Sequence, residues 1–94
     1  MSEAWLFTDP PDTAVLTVRR IIEQGSPILL VIHGVDEDGW QFLDGEDVAE
    51  TDALVVSLFH MVTRDASLRS LISLPPGWGA YRRDPSQPWQ TYQL

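Results

Sequence analysis

Ile28-Leu29-Leu30-Val31-Ile32, a loop from Gly34 to Gly39, and Trp40-Gln41-Phe42-Leu43 together decide the fold of this chain. The first run is apolar at every position, the pattern of a strand buried on both faces. Asp38-Gly39 suits a tight turn, because glycine takes the positive φ values such a turn demands. Trp40 and Phe42 then fall on one side of the returning strand, with Gln41 and Leu43 on the other. A β-hairpin is predicted here, and the remaining elements are read outward from it.

Upstream, Asp9-Pro10-Pro11-Asp12 is a rigid segment, since proline fixes its own φ and disfavours helix in the residue before it. Thr13 to Ile22 fits a helix period through Ala14, Val15, Val18, Ile21 and Ile22, yet the β-branched Val15, Thr17 and Val18 favour a short strand from Ala14 to Val18. One or two helical turns follow and end at Gly25, a natural C-cap. Downstream, Ala53 to Thr63 fits one helix, but Leu54-Val55-Val56 favours a brief strand with Ser57 as the N-cap of a helix. Asp65 is the N-cap of a second short helix running through Ile72. Leu74-Pro75-Pro76-Gly77 stops it, Trp78 to Arg83 reads as a last strand, and residues 84–94 form a Pro-broken tail. The mixed order predicts a single α+β domain spanning residues 1–94, an antiparallel sheet with two or three short helices on one side.

Composition narrows function mainly by exclusion. The chain has 94 residues, 14 acids and 6 bases, a formal net charge of −8, and no cysteine. A disulfide scaffold or thiolate metal site is therefore ruled out. Eight acids (Asp36, Glu37, Asp38, Asp44, Glu46, Asp47, Glu50 and Asp52) crowd the segment 36–52, which holds no base. Such a field repels nucleic acid and anionic membrane and attracts cationic partners. Residues 64–94 hold 2 acids and 4 bases, so the two parts are expected to pack together with Arg82 or Arg83 near the acidic loop. Met1 to Thr8 carries neither a basic region nor a long apolar run. No secretory signal is predicted there, and a cytoplasmic protein is expected.

No catalytic motif is present. A nucleophile needs an activating base and an orienting group, and Ser57 with His60 is more simply a cap followed by a surface residue. No cofactor motif occurs either. His33, Asp36 and Asp38 are weak candidates for a divalent metal, but the ligand spacing of a calcium loop or zinc site is missing. The chain thus reads as a non-enzymatic protein-binding module, with Asp36, Asp38, Asp44, Glu46 and Asp47 as a contact rim for a basic protein. Trp89, in the Pro-rich tail, is a candidate anchor, although packing over the sheet edge would also explain it. A small-ligand or divalent-metal binding accessory protein is the alternative, and self-association through a sheet edge is left open.

Four strings carry a resemblance: Asp38-Gly39-Trp40-Gln41-Phe42-Leu43-Asp44-Gly45, Val55-Val56-Ser57-Leu58, Arg64-Asp65-Ala66-Ser67-Leu68 and Leu74-Pro75-Pro76-Gly77-Trp78-Gly79-Ala80-Tyr81-Arg82. They resemble a group of small bacterial proteins of unknown function. More distantly, the chain is similar to immunity proteins of polymorphic toxin systems. That similarity implies a small acidic inhibitor that covers a toxin's active site, and it assigns no functional residue.

Overall fold

The hairpin lies at the centre of a six-stranded sheet. The computed structural model describes residues 5–36 and 39–94. In chain order the strands are β1 (Ala14–Val18), β2 (Leu30–His33), β3 (Trp40–Leu43), β4 (Ala53–Ser57), β5 (Trp78–Tyr81) and β6 (Gln90–Gln93). The helices are α1 (Arg19–Gln24), α2 (Leu58–Arg64) and a 3-10 helix at Ala66–Leu71, with a shorter 3-10 turn at Glu50–Asp52.

The spatial order is β4-β1-β3-β2-β5-β6. Neighbours run antiparallel except β1 and β3, which pair parallel through Leu16 and Gln41. The exception to the antiparallel expectation has a topological cause. Helix α1 carries the chain past one strand position before β2 begins, and the tight hairpin then inserts β3 into that gap, alongside β1.

Local chemistry fixes the helix ends. Gly25 sits at φ 74° and closes α1. Ser57 Oγ accepts the His60 backbone N–H at 3.0 Å and caps α2, and Asp65 accepts the Ser67 N–H at 3.0 Å at the 3-10 helix. The Leu58 and Phe59 N–H groups, orphaned as in any helix start, donate to the Thr13 and Pro11 carbonyls. The Pro-Pro segment is thereby pinned to the first turn of α2.

The helices contribute Ile21, Leu58, Met61, Val62, Leu68 and Leu71 to one buried cluster with Val15, Val31, Trp40, Phe42 and Ala80 of the sheet. Alternation sends the intervening strand residues to the opposite face. Register aligns Val55, Leu16, Gln41, Ile32, Gly79 and Tyr92 across all six strands on that face. Leu43, Leu30 and Tyr81 form a second row beside them. The expectation of a central strand buried on both faces is corrected here. Val31 is fully buried, but Leu30 and Ile32 are only half-buried because the helices cover one side alone.

The tail also differs from its reading as a Pro-broken extension. Residues Gln90–Gln93 pair antiparallel with β5 and become the outermost strand. Gly79 makes that pairing close: a Cβ there would meet the Tyr92 ring at 2.7 Å, so the ring lies directly over the glycine.

Candidate functional site

The acids of segment 36–52 do not form one rim. Asp36 lies exposed in the β2–β3 turn at φ 54°, while Asp44 directly follows β3 at the other end of the sheet. A four-residue strand spans about 13 Å, more than the Debye length of about 8 Å at physiological salt. Charges at the two ends act separately. Asp38, between Asp36 and Gly39, lies outside the described residues.

Asp44 is a structural group. It is buried, accepts Arg20 Nε at 2.7 Å and Nη2 at 3.0 Å, and also accepts the Glu46 N–H at 3.1 Å. Arg20 further donates to the Asp47 carbonyl and approaches Asp52 at 3.5 Å. One arginine of α1 thus folds the acidic connector back on itself. Glu46, Asp47 and Glu50 keep exposed side chains, and they make the acidic corner.

Arg82, one of the two bases expected near this connector, pairs with Asp65 instead. Arg82 follows β5 at the same end of the sheet as Asp44, but it is buried and turned to other partners. It donates to the Ile28 carbonyl, the Ser67 hydroxyl and the Asp65 carboxylate, with the Trp89 ring 4.2 Å from its guanidinium carbon. Trp89 also donates its indole N–H to Ser67 Oγ at 3.2 Å. Trp89 is half-buried and holds the tail against the core.

Both buried ion pairs lower their carboxyl pKa values. For Asp44 the leading cause is the hydrogen bond from Arg20, which outweighs desolvation. For Asp65 burial is the largest influence and pushes upward. The Ser67 hydroxyl and amide together with Arg82 overcome it. A carboxyl held below its unfolded value of about 3.9 adds stability above that pH, and the contribution is lost as pH falls through the lower folded value. The melting-temperature gap between wild type and Asp44→Asn is therefore expected to stay constant above about pH 5 and to close below about pH 3. A gap that is unchanged down to the acid transition would show that the Asp44 charge contributes nothing.

His33 lies beside the β2–β3 turn, stacked on Trp40 with ring centroids 3.9 Å apart and planes 10° from parallel. Its Nδ1 is 2.7 Å from the Leu74 carbonyl. Trp40 donates its indole N–H to Asp9 Oδ2 at 2.8 Å. Among the described residues no three His, Asp or Glu groups converge as metal ligands. Asp9 was not among the sequence candidates: it reads as part of a rigid turn, and its meeting with Trp40, 31 positions on, is a product of the fold.

Ser57 and His60 meet only through the helix cap, and His60 is exposed. The apolar residues of the open sheet face, Leu16, Ile32, Val55, Tyr81 and Tyr92, also escaped the sequence reading. Of these only Ile32 belongs to the run read as buried on both faces; the others become neighbours through strand register. Val55 is 70 % exposed and Tyr81 51 % exposed. No described helix is long and apolar enough to cross a membrane. Comparison of the chain with protein-family models, curated proteins and solved structures gave no match.

Proposed function

We propose that this protein is a non-enzymatic binding module that docks a basic protein against the open face of its sheet. The observation that carries the reading is that face: a largely apolar surface crossing six strands, with Gln41 and Gln90 its polar side chains and no charged side chain in either aligned row. At about 4.8 Å between strands and about 13 Å along them, its planar footprint is roughly 400 Å². That is the size of a functional patch on a monomer and half of the roughly 800 Å² each partner gives to a standard interface. The patch supplies an apolar core, and a rim must supply the remainder.

Glu46, Asp47 and Glu50 provide an acidic part of that rim. They leave the sheet from the end at which Leu43 closes β3. With Arg20 and Arg82 engaged in internal pairs, the charge offered outward is predominantly negative and favours a cationic partner. The resemblance to immunity proteins gives this partner a specific form, a basic toxin whose active site is covered. The use of Ser57 as a cap, with His60 exposed, supports a role without catalysis.

The test is retention of a partner from host lysate by wild type and by Val55→Glu/Tyr81→Glu. Both positions are exposed, so the double variant is expected to fold with a nearly unchanged melting temperature. Wild type should retain one stoichiometric protein of basic character, released as salt rises, and the double variant should lose it. Equal retention by the two, or no such protein on wild type, overturns the proposal.

A further inference from the structure

Four separate segments close a recess at the turn end of the sheet. Asp9, His33, Asp36 and Ser73 line it together with Phe7 and Trp40, around a volume of about 410 Å³. That volume falls within the range of about 300 to 1,000 Å³ typical of small-ligand sites. The recess is separate from the open sheet face, so the inference drawn from it does not rest on the protein-docking reading.

Its walls are fixed by the core. Trp40 is near-parallel to His33 and to Phe42, with centroids 3.9 and 6.0 Å away, and Phe7 meets it edge-on at 5.8 Å. The indole N–H bond to Asp9 Oδ2 holds that carboxylate in place. The His33 hydrogen bond also places a ring proton. A carbonyl oxygen can only accept, so Nδ1, 2.7 Å from the Leu74 carbonyl, carries the proton.

The charged lining groups are acceptors, the carboxylates of Asp9 and Asp36. Among the described residues no arginine lines the recess. An acceptor-rich recess fits a donor-only ligand. Ammonium offers three donors, whereas guanidinium offers five in a planar fork, is more weakly hydrated and packs well against aromatic rings. We propose that this recess binds a guanidinium group, carried by a small molecule or by an arginine side chain.

The test follows the Trp40 indole N–H and the His33 imidazole by NMR on the full chain. The probes are ethylguanidinium, Nα-acetyl-arginine methylamide and its uncharged isostere Nα-acetyl-citrulline methylamide. Saturable shifts at both rings are expected with the arginine derivative, with affinity at least tenfold weaker for the citrulline derivative. Asp9→Asn keeps an acceptor for the Trp40 N–H, and Asp36→Asn suits the left-handed backbone there; each should weaken binding at least tenfold. Ethylguanidinium binding as tightly as the arginine derivative would identify a small-molecule source. Preference for the arginine derivative would identify a protein side chain. No saturable shift at tens of millimolar, or equal affinity for the citrulline derivative, overturns the proposal. If Asp9→Asn does not fold, Asp36→Asn and the citrulline comparison still decide it.

Discussion

Replacing Arg82 with alanine is expected to destabilise the fold by about 3 to 5 kcal/mol, the usual cost of leaving one member of a buried ion pair alone. The side chain is only 3 % exposed, and its three acceptors come from two parts of the chain: Ile28, and Asp65 with Ser67. Truncation leaves the Asp65 carboxylate without its counter-ion and removes the platform under Trp89, which anchors the strand-forming tail. A domain of this size holds about 5 to 14 kcal/mol in total, so the variant should be marginal. At about 4 to 8 °C per kcal/mol, its melting temperature should fall by more than 10 °C. Lysine should rescue little, because one ammonium cannot reproduce the geometry of the planar fork. Arg82→Met/Asp65→Asn should recover much of the loss, since it removes both charges while asparagine can still cap the 3-10 helix. Urea denaturation of the three variants measures this directly. An alanine variant within about 1 kcal/mol of wild type would show that the network is dispensable.

The hairpin, the first strand, both capped helices and the position of the inner residues Trp40 and Phe42 were legible because each depends on local rules. Ser57 and Asp65 announce their caps by residue type, and alternation sorts Trp40 from Gln41 without knowledge of neighbours. What remained hidden depends on partners distant in sequence. Gln90–Gln93 has a polar strand pattern and becomes a strand only because β5 offers a free edge, with Gly79 leaving room for Tyr92. Leu30 and Ile32 look like core residues in the sequence, and only the placement of every helix on one side exposes them to a solvent-facing role. The same limit applies to charge. Adjacent acids in the chain suggested one contact rim, but β3 separates Asp36 from Asp44, and Arg20 takes Asp44 inward. Arg82, expected to meet that loop, is held by Asp65 17 positions away.

Reversing Glu46, Asp47 and Glu50 to arginine is expected to slow association with a basic partner by about ten- to a hundredfold at low salt. Each reversal changes the charge by two, so three change it by six, from −8 to −2. The acids lie at a rim, so the effect should fall on the association rate and leave dissociation nearly unchanged. It should fade near 1 M salt, where the Debye length is about 3 Å. Asp44 must stay intact in this experiment. An arginine there would face Arg20 inside the fold, and slow binding would then report damage to the domain. Asp36→Asn distinguishes a local field from net charge alone, because it removes a negative charge at the opposite end of the sheet. If the acidic corner steers the encounter, Asp36→Asn should slow association far less per unit of charge than the triple reversal. Equal effects per charge would mean that only net charge matters. Rates indistinguishable from wild type at low salt would remove the acidic corner from the recognition surface and leave the apolar face to act alone.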